Sequence, residues 1–275
     1  MLQVDPKLQL PSSAELPCSD DIPVDNEDQN LLPNYLLFLL QRIWADRLDW
    51  FFAVDMAIYH TTGVNPRVPV VPDAFLSLGV DRKKNGESRL SYVMWEENET
   101  PPILVIEMVS QTPGGEYDKK LEIYRKLGVL YYVIYNPKYW QRDRHQPFEV
   151  YQLVNDTYQL QLGEPFWMSE VGLGIGRREF VLGGFAQEGL RWFDEQATPY
   201  WDEGELLVQS QQQQEQAEQA RQQAEQARQQ AEQAQQQAEQ AQQQEQEIRH
   251  QVEQDKARLA AKLRSLGFDP NDLLS

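Results

Sequence analysis

The sequence predicts an α/β domain of the α+β type, with a mixed sheet flanked by helices and a long C-terminal Ala/Gln-rich helix or coiled coil. Three observations support this prediction. The stretch ILVIEMV at 103–109 is almost wholly apolar, as is typical of a strand covered on both faces. The order strand, helix, strand over residues 103–135 indicates a βαβ unit. After about Glu205 the composition changes abruptly to Gln, Ala and Glu, which indicates a separate helical segment.

The composition and spacing of residues 1–49 predict a leader followed by one helix. Residues 1–30 are rich in Pro, Asp and Ser and show no sustained period, which predicts a flexible leader. From residue 31 to about residue 49, apolar residues recur at three- and four-residue steps. This spacing is typical of a helix that is buried on one side.

Two strands are predicted next. Trp50 to His60 alternates as a half-buried strand does, with Asp55 on the face opposite the apolar side chains. Residues 68–78 form the second strand. Because Pro69 and Pro72 interrupt it, we expect an edge or bulged segment.

The βαβ unit and a hairpin follow. The strand 103–109 is followed by a helix over 116–127, which Gly128 is well placed to end. A further strand covers 130–135. Residues 148–162 consist of two alternating runs separated by a turn, which predicts a hairpin.

The C-terminal segment carries a heptad repeat. Alanines alternate three- and four-residue steps at positions 217, 220, 224, 227, 231, 234, 238 and 241. The same phase continues through Ile248, Val252 and Leu259 to Leu266, which predicts that the helix stops at Gly267. Alanine favours helix but buries little area, so association through this seam is weak. Three interpretations remain open: a helical association arm, a mostly monomeric spacer, or partial disorder.

The charge of the chain opposes simple nucleic-acid binding. The formal net charge is -18, from 43 acidic and 25 basic residues. Non-specific nucleic-acid binding normally needs a basic surface. A site for divalent cations is itself acidic when empty, however, and the bound ions invert its local charge.

The cellular setting is predicted from cysteine content and apolar runs. Cys18 is the only cysteine, which excludes an internal disulfide framework and a Cys-based zinc cluster. The N-terminus lacks a secretory signal pattern, and the longest apolar run, residues 35–40, is far too short to span a bilayer. We therefore expect a soluble cytoplasmic protein with no membrane partner.

Two acidic residues in the predicted sheet carry the candidate chemistry. Asp73 follows a proline at the end of one strand, and Glu107 lies in the next buried strand. A buried carboxylate is costly unless a cation, a metal or a proton accompanies it. Two carboxylates, with a backbone carbonyl such as that of Met108 and several waters, make a reasonable octahedral site for Mg²⁺. Lys120, in the following helix, would orient a nucleophile or neutralise charge on a phosphate.

The ordered series of these segments resembles the Uma2 family of restriction-endonuclease-like proteins, in the PD-(D/E)XK nuclease superfamily. The resemblance covers roughly residues 31–194 and rests on three segments, which read DMAIYH at 55–60, VPDAFLSLGV at 71–80 and PPILVIEMVSQTPGGEYDKKLEIYRKLGVLYYVIYNP at 101–137. It implies a restriction-endonuclease-like domain over 31–204, after a leader at 1–30 and before a helical tail at 205–275. It also implies a metal-dependent endonuclease that acts on DNA with Mg²⁺, or with Mn²⁺ in its place.

The resemblance assigns the site residues. Asp73 matches the motif's aspartate and Glu107 its second acid. The superfamily's lysine usually lies two residues after the second acid, but Val109 occupies that position here. The family resembles a variant in which the lysine has moved to the next helix, where Lys120 matches and Lys119 is the fallback.

Each of these residues also has a structural interpretation. Asp73 is also explained as a strand-end residue, and Glu107 by pairing with a buried arginine. Lys120 is also explained by an i, i+4 pair with Glu116. Asp55 is either a structural hydrogen-bonding residue or an additional metal ligand, and Glu116 is a further candidate ligand.

Other functions remain open beside a DNA endonuclease. A phosphodiesterase that acts on RNA or a small nucleotide is one, because the sequence offers no groove-reading element that fixes DNA as the substrate. The other is a non-catalytic interaction protein that keeps the fold and forms a homo-oligomer through its C-terminal helix. The net charge and the displaced lysine favour this last alternative.

Overall fold

The computed structural model describes residues 10–17, 27–63, 65–112, 114–182 and 184–266 of the 275-residue chain. The chain divides into two compact units, Met1–Asp202 and Glu203–Ser275. Among the described residues, none of the helices is long and apolar enough to cross a bilayer.

Helices and strands alternate through the first unit. Its helices are α1 (Glu27–Ile43), α2 (Lys119–Leu127) and the short α3 (Trp140–Asp143), and Met94–Glu96 forms one 3-10 turn. Its strands are β1 (Trp50–Val54), β2 (Ile58–Tyr59), β3 (Ala74–Leu78), β4 (Tyr92–Val93), β5 (Leu104–Met108), β6 (Tyr131–Tyr135), β7 (Phe148–Val154), β8 (Thr157–Leu160), β9 (Phe166–Met168), β10 (Leu173–Leu182) and β11 (Phe185–Phe193).

The central sheet has six strands in the order β1-β3-β5-β6-β7-β8. The pair β5 and β6 is parallel, and α2 connects these two strands. The other neighbouring pairs of this sheet are antiparallel. The sheet is therefore mixed, as predicted, and β5 lies near its centre.

Both faces of this sheet are covered, because alternate residues of its strands belong to different apolar clusters. On one face, residues such as Leu104 and Ile106 pack with α1 and with the three-stranded sheet β9-β10-β11. On the other face, Val105 and Phe75 pack with Tyr124 and Leu127 of α2. This arrangement confirms the predicted class, a mixed sheet flanked by helices, and explains the apolar sequence of β5.

The predicted hairpin over 148–162 is confirmed by β7 and β8. These strands are antiparallel and are joined at Asn155 and Asp156, which have φ angles of 49° and 59°. Positive φ at both central residues is typical of the type I′ hairpin turn, in which Asn and Asp are well tolerated.

The two strands predicted over 50–60 and 68–78 differ from those observed. The first breaks at Asp55, whose φ of 49° interrupts the extended backbone between β1 and β2. The second begins only at Ala74, after both prolines, and β3 lies in the interior of the sheet between β1 and β5. The expectation of an edge or bulged strand was wrong, because the prolines precede the paired residues.

Part of the segment predicted to be a flexible leader packs against the rest of the first unit. Leu16 is buried in a small cluster with Ala57, Tyr59 and Val93. The indole Nε1 of Trp95 donates a 3.0 Å hydrogen bond to the Pro11 carbonyl. Helix α1 also starts at Glu27, within the predicted leader, and ends at Ile43 rather than near residue 49.

The second unit is one helix, α4, over Glu203–Ser265. None of its 63 residues is buried. Exposed charges are paired along it at i, i+4 spacing, as in Arg228 with Glu232 and Arg249 with Glu245. The predicted end at Gly267 lies outside the described residues.

Candidate active site

Asp73 lies directly before β3, where the sheet register brings it to Glu107. Ala74 is opposite Ile106 in the antiparallel pair of β3 and β5, so one step further along, Asp73 comes beside Glu107. The Met108 amide donates a 2.6 Å hydrogen bond to Asp73 Oδ2 and holds this carboxyl group at the end of the strand. The structure thus brings together the two acids predicted from the sequence.

Glu107 is 1% exposed in the middle of β5, and both of its carboxylate oxygens have a donor. Lys120 Nζ lies 2.8 Å from Oε2, and the hydroxyl of Tyr124 donates to Oε1 at 2.5 Å. The alternation of β5 places Glu107 on the same face as Val105, which α2 covers. Its ionic partner is therefore a lysine, and the interpretation as a pair with a buried arginine was wrong.

The ends of α2 explain why these side chains meet. Asp118 caps the helix by accepting a hydrogen bond from the Lys119 amide, and Gly128 ends it at a φ of 81°. That left-handed conformation favours glycine, as predicted from the sequence. Lys120 and Tyr124 are four residues apart and so share the helix face that is turned toward the sheet.

The electrostatics of the site reflect two carboxyl groups in contact. Burial, and then the repulsion of Glu107, raise the pKa of Asp73 well above its ordinary value, and the Met108 amide only partly offsets this. Burial likewise raises the pKa of Glu107, against the attraction of Lys120. Burial opposes the charge of Lys120, but the hydrogen bond to Glu107 and the combined attraction of Glu107, Asp73 and Glu116 outweigh it and raise the pKa of this lysine. The two acids therefore favour either a bound proton or a cation in addition to Lys120.

The two candidate lysines occupy different surroundings. Lys120 has a side chain 24% exposed and contacts Glu107, whereas Lys119 is exposed at the first turn of α2. The geometry therefore favours Lys120 over Lys119 as the lysine of the site. The expected i, i+4 pair of Lys120 with Glu116 does not form, because both oxygens of Glu116 accept a 3.0 Å hydrogen bond from the Gly114 amide.

The two further candidate ligands lie beside the acid pair. The Asp55 amide donates a 3.1 Å hydrogen bond to the Asp73 carbonyl, and the Asp55 side chain is exposed. Glu116 is buried, and its charge raises the pKa of Glu107. In the part of the chain that the structure describes, no group of three or more His, Cys, Asp or Glu side chains is arranged to hold a metal. Asp55 and Glu116 thus do not complete a site of three carboxylates.

The donor set nevertheless fits a hard divalent cation. Asp73 and Glu107 supply carboxylate oxygens, and Mg²⁺ is commonly held by one or two carboxylates with the remaining positions taken by water. A cation would also relieve the repulsion that raises the pKa of Asp73. The Met108 carbonyl, a further predicted donor, accepts a 3.3 Å hydrogen bond from Gln29 Nε2. A carbonyl oxygen has a second lone pair, so this contact is compatible with a metal ligand.

Tyr124 contacts Glu107, a position that was not predicted from the sequence. Its hydroxyl orients the Glu107 carboxylate, while burial and the charge of Glu107 raise the pKa of Tyr124 well above its ordinary value and keep it neutral. The available signal was its position four residues after Lys120 on a helix that packs against the acidic strand.

Comparison with known proteins adds a family assignment. Residues 22–178, more than half of the chain, match the model of the family Uma2, described as "Putative restriction endonuclease". A similar solved structure is that of "a putative nuclease belonging to DUF820" from Anabaena variabilis ATCC 29413. It is 14% identical with a TM-score of 0.37, and the match covers 52% of this chain and 71% of that one. No curated protein matches this chain significantly. The match over residues 22–178 shows that this chain belongs to the Uma2 family.

Proposed function

We propose that this protein is a Mg²⁺-dependent endonuclease that hydrolyses phosphodiester bonds in DNA, with Mn²⁺ able to replace Mg²⁺. The observation that carries the proposal is the group of Asp73, Glu107 and Lys120, in which two carboxyl groups adjoin and an ammonium lies 2.8 Å from one of them. The description of the Uma2 family supports the nuclease class. The catalytic domain would span residues 31–204.

Asp73 and Glu107 would hold the cation in this proposal. When bound, it supplies charge that stabilises a phosphate and lowers the pKa of water beside it. The Met108 amide fixes Asp73, and Tyr124 fixes Glu107, so both carboxyl groups are oriented before any ligand arrives.

Lys120 would act on the phosphate. Its raised pKa keeps the ammonium charged at neutral pH. Its side chain is 24% exposed, so it can contact a substrate while it remains beside Glu107. A fixed positive charge at this position stabilises negative charge that develops on the phosphate oxygens.

A cleavage assay with matched variants tests the proposal. Wild type, Asp73→Asn, Glu107→Gln and Lys120→Ala are incubated with plasmid, single-stranded DNA and RNA in Mg²⁺ or Mn²⁺. Lys119→Ala, an exposed neighbour, is the control, and melting curves establish that each variant is folded. We expect metal-dependent DNA cleavage by wild type and by the control, and its loss in the other three.

Three results would change the assignment. Cleavage of RNA, but not of DNA, would replace DNA with RNA as the substrate and leave the site unchanged. If well-folded wild type cleaves no substrate, the endonuclease proposal is rejected. Loss of cleavage in Lys119→Ala but not in Lys120→Ala would reject the assignment of the lysine.

A second candidate function is non-catalytic assembly through α4. Two observations favour it. Both carboxylate oxygens of Glu107 already have a hydrogen-bond donor, from Lys120 and Tyr124. None of the 63 residues of α4 is buried. Ile248, Val252 and Leu259 are between 47% and 63% exposed, in phase with the alanine heptads. A heptad seam of this kind fits a second copy of the same helix, so we propose residues 205–275 as a homo-oligomerisation arm.

Light scattering tests the arm. Full-length protein should have a larger mass than one chain, and removal of residues 205–275 should return the mass to one chain. Ile248→Lys, which places a charge in the seam, should weaken association while the matched exposed substitution Gln229→Lys should not. A full-length protein that is monomeric at high concentration would contradict the proposed homo-oligomerisation arm.

The lone cysteine, Cys18, favours a reducing cytoplasm as the location of this protein.

A further inference from the structure

A groove runs along β1, the strand at one edge of the six-stranded sheet. Its volume is about 270 Å³, and residues of α1, of β1 and of the segment 82–89 line it. Three of the lining residues are cationic: Arg82, Lys83 and Arg89. Among the described residues that line the groove none is acidic, although the chain has a formal net charge of -18.

Arg89 presents an unsatisfied donor in this wall. Its side chain is 2% exposed, and its Nε and Nη2 atoms donate to Glu97 at 2.9 and 3.1 Å. Its guanidinium lies 4.4 Å from the ring centroid of Phe51, another lining residue. Nη1 is buried and has no hydrogen-bond partner within the described part of the chain. A buried donor without a partner costs roughly 1–3 kcal/mol, which an anionic ligand that accepts its hydrogen bond would recover.

Arg82 adds a second, weakly compensated cation. Burial, and then the charge of Arg89, lower the pKa of Arg82, so the two guanidinium groups repel one another. The Arg82 guanidinium stacks over Trp50, 4.4 Å from the ring centroid. It forms no ion pair with a carboxylate of the described residues. Neighbouring guanidinium groups with an incomplete set of acids are typical of a site that takes an anion.

The groove extends along β1 to the segment that pairs with the backbone of Asp73. Val54 and Met56 line it, and Asp55 between them donates its amide hydrogen bond to the Asp73 carbonyl. Val54 is also paired with Ala74, the residue that follows Asp73. An elongated anion in the groove would therefore lead toward the acid pair.

We infer that this groove binds the phosphodiester backbone of the nucleic-acid substrate, with Arg82, Lys83 and the Nη1 atom of Arg89 as donors to phosphate oxygens. The inference rests on the proposed function for its choice of substrate. An extended peptide could pair with an edge strand such as β1, but three cations and no acid in the lining favour a polyanion. The contacts are to the backbone, so they supply affinity and register without base specificity.

A binding experiment without divalent cations tests the groove separately from cleavage. Fluorescence anisotropy of a short labelled DNA duplex, and of its single strand, is measured in EDTA over a range of NaCl concentrations. The variants are Arg82→Gln/Lys83→Gln and the single variant Lys83→Gln, which changes an exposed side chain and leaves the packing of Arg82 on Trp50 intact. Arg67→Gln, an exposed arginine outside the groove, is the matched control.

Each lost phosphate contact should reduce the slope of log K against log[NaCl] by about 1. We therefore expect a reduction of about two in the double variant, about one in Lys83→Gln and none in Arg67→Gln. The duplex and single-strand probes show which form of the backbone loses the contacts. Unchanged slopes in both groove variants would overturn the inference, as would a wild type that binds neither probe. Unchanged slopes in both groove variants are the result expected if a peptide, and not a nucleic acid, occupied the edge of β1.

The outcome for the groove is distinguishable from that for the proposed function. Salt-dependent binding that is lost in the groove variants, without cleavage in Mg²⁺, would support the groove and reject the endonuclease. Cleavage in Mg²⁺ by wild type, with equal salt slopes in wild type and variants, would support the endonuclease and reject the groove.

Discussion

The two units of this protein treat charge in opposite ways. The first unit buries Glu107 at the centre of a sheet, beside Asp73, and satisfies it with Lys120 and Tyr124. The helix α4 buries none of its 63 residues, and the pairs Arg228 with Glu232 and Arg249 with Glu245 are exposed i, i+4 pairs. Buried charges are costly, and exposed pairs contribute little to stability. The difference is that the first unit keeps a costly charge in its interior, where Lys120 and Tyr124 satisfy it, while α4 carries its charges where burial imposes no cost.

The largest expected effect on stability comes from removing the cation beside Glu107. Lys120→Ala should lower the free energy of unfolding by about 2–3 kcal/mol, less than the roughly 3–5 kcal/mol of a fully buried pair, because Glu107 can take up a proton. Lys119→Ala, at an exposed position, should change it by less than about 0.5 kcal/mol. Urea unfolding measures both. Equal losses of unfolding free energy in the two variants would show that Lys120 does not stabilise the buried Glu107 carboxylate.

The next effect is a dependence of stability on pH. Because the pKa of Asp73 in the folded state is raised well above its ordinary value near 3.8, the folded state binds more protons than the unfolded state above that pH. The stability of the metal-free protein should therefore fall as pH rises from about 4 through the raised pKa, by at most about 1.4 kcal/mol per pH unit for this group. Asp73→Asn should flatten the fall, as measured by urea unfolding in EDTA. An equally steep fall in the variant would contradict the account.

A smaller effect separates a helix with buried residues, α2, from a helix with none, α4. Gly128→Ala places a side chain at a φ of 81° and should cost the first unit about 1 kcal/mol. Ala231→Gly in α4 should cost about 1 kcal/mol of local helix stability and leave the unfolding of the first unit unchanged. Thermal unfolding followed by tyrosine and tryptophan fluorescence reports the first unit, and far-ultraviolet circular dichroism reports α4. A shifted fluorescence transition in Ala231→Gly would contradict this separation.

The smallest expected effect is that of deleting residues 205–275. Since the first unit has its own core, its free energy of unfolding should change by less than about 0.5 kcal/mol. Urea unfolding followed by tryptophan fluorescence measures it. A loss of several kcal/mol would show that the helix contributes to the stability of the first unit.

The central sheet could be predicted from the sequence because its signals are local. The apolar run of β5, the periodicity of α2 and the glycine at its end each lie within a few residues. Glu107 was visible for the same reason, since a single acid in an apolar strand stands out without knowledge of the fold, and Asp73 was visible as the acid that follows Pro72. The break at Asp55 was not predictable, because alternation continues across it while the backbone adopts a φ of 49°.

Several other contacts between distant segments could not be predicted. The alternative that Glu107 pairs with an arginine could not be rejected from the sequence, because the sequence does not show which helix face meets β5. The packing of Leu16 against Tyr59 was hidden for the same reason, within a segment whose composition indicated flexibility. Likewise, Arg82 and Arg89 come together in one groove only when the segment 82–89 packs beside Trp50 and Phe51 of β1.

Calorimetric titration with Mn²⁺ tests most directly the central claim, that Asp73 and Glu107 together bind a divalent cation. We expect saturable binding to the wild type and to Glu122→Gln, an exposed acid on α2, and its loss in Asp73→Asn and Glu107→Gln. Bound Mn²⁺ should also raise the melting temperature of the wild type but not of Asp73→Asn, because a ligand of the folded state stabilises it by mass action. Absence of binding to well-folded wild type, or full binding to Asp73→Asn, would contradict the claim.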